Sequence, residues 1–365
     1  MKAELLCALF LAALPARAPA QAADLARLES RIAAALARSS AWLVTVQTFG
    51  GTPAAALPAS RPASGPTSRP GPASRPGPDA PGRPAPRGFP VALGATTGVV
   101  VDPQGLVLTS LWSFQLAPAA ILVTFPDGRK LAARPLGRDF SRGLALLAVE
   151  ASGVPVPEAA PPASRRPGAS VRSLGRTFGP ELPAASLGIV SAVGRLGGRA
   201  LQTDADVAPS NYGGALVDLD GRLLGILVPL APQGYAAGIQ WYDSGIGFAC
   251  EWPLPVRILE ALKAGEDLFP GQLGVAPDPA DLGPGALVAR VSGAAERCGL
   301  KRGDRIVSLA GTPVRHSFHL QELAAALLAG ESVALSVARG GETLALQATL
   351  EPRSTDAPPI SPGLR

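Results

Sequence analysis

Between Ala95 and Phe248 the chain is cut into short apolar and β-branched runs by Gly, Pro and Asp. Runs at Thr97–Val101, Leu106–Thr109, Ile121–Phe125 and Leu144–Val149 form one set. Runs at Ser186–Val193, Ala215–Val217, Leu223–Val228 and Ile246–Ala249 form a second. Short segments rich in Val, Ile, Leu and Thr, bounded by turn residues, are the signature of strands. Asp127-Gly128 and Asp220-Gly221 are pairs that close hairpins, because both residues tolerate the left-handed backbone. Many strands without long helices between them restrict this region to an all-β barrel or sandwich.

The flanks obey other rules. Residues 24–38 read as a short amphipathic helix, and Ala41–Phe49 as a strand. From Gly50 to Pro90 the chain is almost entirely Pro, Ala, Ser, Gly and Arg, with Ser-Arg-Pro recurring at Ser60, Ser68 and Ser74. Such a stretch has too little apolar surface to offset its ordering entropy, so it is expected to be disordered. A strand on each side makes it an insertion in the first domain. Pro253 is expected to open a helix over Leu254–Ala264, ending near Gly265. Strands at Ala286–Val291, Arg305–Leu309, Ser332–Ala338 and Thr343–Leu350 surround a helix over Phe318–Leu328, with Ser317 as its N-cap. The expected division is signal 1–22, helix and first strand 23–49, insertion 50–90, barrel body 91–252, connecting helix 253–268, C-terminal module 269–352 and disordered tail 353–365.

Composition excludes several function classes. Lys2, the apolar run Leu5–Ala16 and the small residues up to Ala20 or Ala22 read as a cleaved secretory signal, which implies a periplasmic or secreted protein. No later segment reaches the roughly 20 apolar residues that a membrane span needs. The net charge of +5 does not imply nucleic acid: Arg61, Arg69, Arg75, Arg83 and Arg87 against Asp79 place 5 − 1 = +4 of it in the insertion. Cys250 and Cys298 lie in different predicted domains, and no Cys/His spacing suits a metal, so neither cofactor nor metal is expected.

Several ordered motifs together resemble the HtrA/Deg family of extracytoplasmic trypsin-like proteases with a PDZ domain. Thr97-Gly98-Val99-Val100-Val101-Asp102 followed by Gly105–Thr109 is similar to the approach to that family's catalytic histidine. Asp139–Leu147 is similar to its aspartate segment. Gly188–Ser191, Gln202–Ala205, Asn211–Leu216 and Gly245–Ala249 are similar to its second barrel. The resemblance runs from about Ala41 to Pro352 and implies a mainly β fold, a trypsin-like double β-barrel followed by a β-rich PDZ domain with one main helix.

Carried over position by position, the catalytic triad fails three times. The histidine position falls on Trp112, the aspartate position on Gly143 and the serine position on Tyr212. Proton acceptor, orienting carboxylate and attacking oxygen are all replaced. The only histidines, His316 and His319, lie in the C-terminal module. An unperturbed phenol with a pKa near ~10 is a poor nucleophile without a base. Ser210 is the alternative nucleophile, also without a visible partner. Trp112 and Tyr212 are expected to face each other across the inter-barrel cleft, either plugging it or lining an aromatic pocket for an apolar or proline-containing peptide.

Gly271-Gln272-Leu273-Gly274-Val275 is similar to the carboxylate-binding loop of a PDZ domain, with Gln272 where an aromatic or apolar residue is more usual. Gly299–Ile306 is similar to the turn into a central PDZ strand. The resemblance implies capture of polypeptide C-termini or unfolded segments by strand addition. It also implies partnership with active HtrA-type proteases and a homotrimer built through the N-terminal region. His316 and His319 are expected to flank the helix start as solvated residues, with His319 in the groove as the alternative. The expectation is a catalytically inactive polypeptide-binding protein. An enzyme with an atypical nucleophile and a structural envelope protein with a non-binding PDZ domain are the competing classes.

Overall fold

A computed structural model describes residues 18–50, 94–115, 118–177, 183–230 and 244–353. The signal, the insertion and the C-terminal tail fall wholly or mostly outside these residues. Helix α1 spans Ala18–Ser40, longer than the periodicity predicts. Its C-terminal half docks through Ala35 and Ser39, both buried, while Leu25 and Leu28 are exposed. Gly221, in the Asp220-Gly221 turn, is where α1 lies closest: a Cβ there would sit 2.9 Å from the Ala35 carbonyl oxygen. Among the described residues no helix is long and apolar enough to cross a membrane.

Twelve strands make two closed barrels. The first has the order β1-β2-β3-β6-β5-β4, from β1 (Leu43–Phe49), β2 (Thr96–Asp102), β3 (Leu106–Ser110), β4 (Ala120–Thr124), β5 (Lys130–Asp139) and β6 (Leu144–Val149). The second has the order β10-β11-β12-β9-β8-β7, from β7 (Ser170–Gly175), β8 (Ala184–Gly194), β9 (Ala200–Thr203), β10 (Ala215–Asp218), β11 (Leu223–Leu227) and β12 (Gly247–Glu251). Closure leaves no unpaired strand edge. β1 pairs with β2 across the insertion, with Leu43 opposite Val99, so both ends of the insertion enter one barrel.

Three barrel strands escape the sequence pattern: β5, β7 and β9. β7 carries Arg172 in its middle, fully buried and bonded to the carbonyls of Ile32, Asp218 and Leu219. That side chain staples α1 to the second barrel. Two further expectations need correction. The connecting helix, α2 (Val256–Lys263), begins three residues after Pro253, with Pro255 as its cap. A short helix, α3 (Gly293–Arg297), precedes the main C-terminal helix, α4, which spans Ser317–Ala326 and is capped by His316, whose Nδ1 accepts the His319 N–H at 3.2 Å. Ser317, the expected cap, has its hydroxyl buried without a partner among the described residues. His319 is half-buried, its Nδ1 accepting the Arg315 N–H, which corrects the expectation of two solvated histidines.

The C-terminal module has its own core, built around Leu273, Val288, Ile306, Leu335 and Leu350. It does not hang free. The segment entering it is clamped to the first barrel: Arg138 holds Asp267 with two guanidinium bonds at 3.1 and 2.5 Å, and Phe140 stacks on Phe269 with centroids 4.8 Å apart. Leu328 joins the core of the barrels.

Asp304, buried at the turn into strand β16 (Arg305–Leu309), is held by Arg339 at 2.7 Å on each oxygen and by the Lys301 N–H. The Arg339 guanidinium keeps the carboxyl below the usual aspartate range, reinforced by the Lys301 amide against an opposing burial effect. A depressed folded pKa contributes stability above the unfolded value of about 3.9 and loses it as pH falls through the folded value. The stability difference between the parent and Asp304→Asn is therefore expected to be full at neutral pH and to shrink in acid below about pH 4. Urea titrations across pH check this. A difference that grows in acid would contradict it.

Candidate functional site

The groove between the barrels is built from one short turn on each side. On the first barrel, a 3-10 turn over Leu111–Phe114 carries Trp112, with the Ser110 hydroxyl accepting the Trp112 N–H. On the second, a 3-10 turn over Pro209–Asn211 delivers Tyr212. Pro209 suits the first position of such a turn, since it has no N–H to leave unpaired. The two rings meet edge-to-face, centroids 5.5 Å apart at 67°. Tyr212 is buried and Trp112 half-buried, with the Trp112 Nε1 enclosed and without a partner among the described residues. Gly143 completes the set: its carbonyl accepts the Leu111 N–H at 2.8 Å. A Cβ at Gly143 would face Leu230 and Val228 of the second barrel at 3.6 and 3.9 Å. The structure thus brings Trp112, Gly143 and Tyr212 to one seam.

The N–H groups of the second-barrel turn from Asn211 to Gly214 are all committed. The N–H of Asn211 goes to the Ala208 carbonyl, that of Tyr212 to Ala208 at 3.1 Å, that of Gly213 to Leu227 and that of Gly214 to Asn211. The Tyr212 carbonyl accepts from Thr97 N–H. The Ser210 carbonyl is held by the hydroxyls of Thr97 and Thr177. Sequence reasoning missed this internal wiring. The Pro209 turn was its only available signal.

Below the seam lies a buried polar layer. Asp139, wholly inaccessible, accepts the N–H groups of Ser141 and Arg142 and pairs with the Arg142 guanidinium at 3.0 Å. Arg199 reaches across from the second barrel to Ser141. Cys250 is buried in the same region, and burial pushes its thiol up to about 12, so it carries no thiolate at neutral pH. Among the described residues no cluster suits a metal ion.

A second concavity, of about 230 Å³, opens on the C-terminal module between strand β14 (Val275–Pro277) and α4. Gly271, Gln272, Leu273, Gly274 and Val275 all line it, as the sequence motif implies. Gly274 has φ +82°, and a Cβ there would collide with the Ser292 carbonyl, so only glycine closes this loop without strain. The opposite wall is Leu320, Gln321 and Ala324 of α4, with Ala324 one helical turn beyond Leu320; His319 is not part of it. These residues and Arg353 were not singled out from the sequence.

Comparison with known proteins agrees with this architecture. Residues 96–226 match the trypsin-like peptidase domain family and residues 287–339 the PDZ domain family. The order of the two matches follows the order of barrels and C-terminal module. The chain belongs to the HtrA-type family. Its HtrA-type relatives include the "Probable periplasmic serine endoprotease DegP-like" of Marinomonas sp. (strain MWYL1), 30% identical over 71% of this chain and 57% of the relative. The "Periplasmic pH-dependent serine endoprotease DegQ" of Escherichia coli (strain K12) is 32% identical over 74% of this chain and 63% of the relative. The HtrA-type chain described here thus spans little more than half the length of the curated relatives it matches. Among solved structures, "HtrA-type protease AlgW with decapeptide" superposes with a TM-score of 0.63 at 25% identity, covering 89% of this chain and 99% of that one.

Proposed function

We propose that this HtrA-type chain is proteolytically inactive and binds polypeptide through its PDZ groove. The observation that carries the first half is the Trp112–Tyr212 contact: rings fill the seam where a trypsin-like enzyme needs an imidazole beside a hydroxyl. Two further facts support it. Trypsin-like enzymes aim the N–H of the nucleophile residue at the developing oxyanion, and removing one such donor costs about 10²–10³ in rate. Here the Tyr212 N–H is spent on the Ala208 carbonyl. Ser210, the alternative nucleophile, sits in a pair of barrels that contain no histidine. For the second half, the support is the groove itself, an apolar wall facing a glycine-rich loop beside a strand of the module.

The site of action proposed is the periplasm or the extracellular space, in keeping with the periplasmic relatives and the sequence start. Partners proposed are polypeptide C-termini, unfolded segments or active HtrA-type proteases. A homotrimer would use the free half of α1, where Leu25 and Leu28 are exposed. The test is a fluorophosphonate probe with a casein-cleavage assay on the purified chain. No labelling and no cleavage are expected. Labelling that disappears in Ser210→Ala would instead identify a hydrolase with an unconventional nucleophile.

A further inference from the structure

We propose that strand β19 (Glu342–Thr349) is a self-pairing edge, through which two copies of this chain join their C-terminal sheets antiparallel about a two-fold axis at Ala345. The sheet of the module runs β14-β15-β16-β18-β19, with β15 spanning Ala286–Val291 and β18 Ser332–Arg339. The two-residue strands β13 (Gly271–Gln272), β17 (Thr312–Pro313) and β20 (Glu351–Pro352) lie off this row. Its two edges are unlike. β14, beside the groove, is three residues long, ends on Pro277 and slips register between Ala276 and Pro277. A bulge and a proline are devices that make an edge unfit for pairing. β19 has neither. Its eight residues pair with β18 without a register shift, from Arg339–Glu342 to Ser332–Thr349. Glu342, at its start, is its one charged residue.

The hairpin fixes which side of β19 is open. Gly340 and Gly341, at φ +59° and +91°, form a two-residue turn that makes Arg339 and Glu342 a hydrogen-bonded pair. Beyond the other end, the Leu350 N–H and carbonyl turn to that same side, bonded to Glu331 and Gly330. Alternation between these ends leaves the N–H and C=O groups of Thr343, Ala345, Gln347 and Thr349 pointing away from β18. Among the described residues β19 pairs with no other strand. The side chains of those four residues are exposed, while Leu344 and Leu346, on the opposite face, are only half-buried. An incoming strand completes both the ladder and the cover over the two leucines.

The occupant must itself be an extended strand with a free edge. The insertion and the C-terminal tail of this chain are too rich in proline, which has no N–H to give to a ladder. The two barrels are closed and offer no edge. β19 of a second copy fits, because directly opposed residues then point to one face. An axis at Ala345 sets Ala345 against its own copy, Thr343 against Gln347 and Leu344 against Leu346. Glu342 meets Ala348, so no like charges face each other. One strand pair is small beside the about 1,600 Å² of a standard interface, so the association is weak and concentration-dependent.

Sedimentation of the purified full chain at ~10 and ~500 μM tests this, a span that covers weak affinities. The parent is expected to gain mass between the two, about twofold for a two-fold pair. Ala345→Lys and Ala345→Glu, each alone, are expected to show no such gain, because like charges then stand face to face. Their equal mixture is expected to recover it, since opposite charges meet. A parent that gains no mass overturns the proposal, as does a mixture that fails to recover the gain. Association through α1 instead would raise the parent and both variants alike, and that outcome overturns it too.

Discussion

Tyr212→Ser is expected to lower folding stability by about 3 kcal/mol and to return no proteolysis. The phenol ring is buried and fills the space against Trp112, so truncation leaves a cavity in a seam made of two barrels. The hydroxyl gained has no base, because Trp112 has no lone pair on its indole nitrogen to accept a proton. Adding Trp112→His and Gly143→Asp restores the residue types and still leaves the Tyr212 position donating its N–H inward to Ala208. Gly143 is also in the left-handed region at φ +70°, where a side chain is strained. Urea unfolding and a casein assay on the single and triple variants check both halves. Robust hydrolysis by either variant would mean that the loop's wiring is no barrier.

Gly213→Ala has the larger structural effect. Its Cβ would overlap the Thr97 carbonyl oxygen and approach Thr109 Oγ1 to 2.5 Å and Ser110 N to 2.8 Å, all on the first barrel. φ is +79°, so the new side chain is strained before any neighbour is considered. Thr97 and Thr109 cannot retreat easily, since Thr109 Oγ1 donates to that same carbonyl at 2.8 Å. A loss above about 4 kcal/mol is expected, a large part of the 5–15 kcal/mol that holds a typical native state. Gly128→Ala is the control: φ is +87° with no atom near its Cβ, so it should cost only about 1 kcal/mol of backbone strain. Equal losses at the two sites would show that backbone strain, and not the approach of the barrels, dominates.

The difference between these glycines marks what the sequence could and could not reveal. Strands such as β6 were legible because Leu144–Val149 is an unbroken apolar run. β5 was not, because Arg134, Pro135 and Arg138 interrupt it, and the strand absorbs them with a bulge between Pro135 and Arg138. β7 hid behind Arg172, whose burial depends on carbonyls over forty residues away in sequence. The His316 cap was missed because Ser317 is the better cap by residue type, and the choice was made by the fold. At the seam, the meeting of Trp112 and Tyr212 followed from the motifs. The commitment of the loop's N–H groups depended on turn geometry that residue types do not encode.

The clamp formed by Arg138 with Asp267 and Phe140 with Phe269 makes the joint between barrels and PDZ module a weld. On the proposed peptide-binding reading, a polypeptide gripped by its end is presented at a set angle instead of swinging on a leash. Any second grip along the barrel surface becomes intramolecular, so a weak contact there gains from high effective concentration. On that reading, grip strength depends on the fixed spacing between the PDZ groove and the barrel surface as well as on the groove itself.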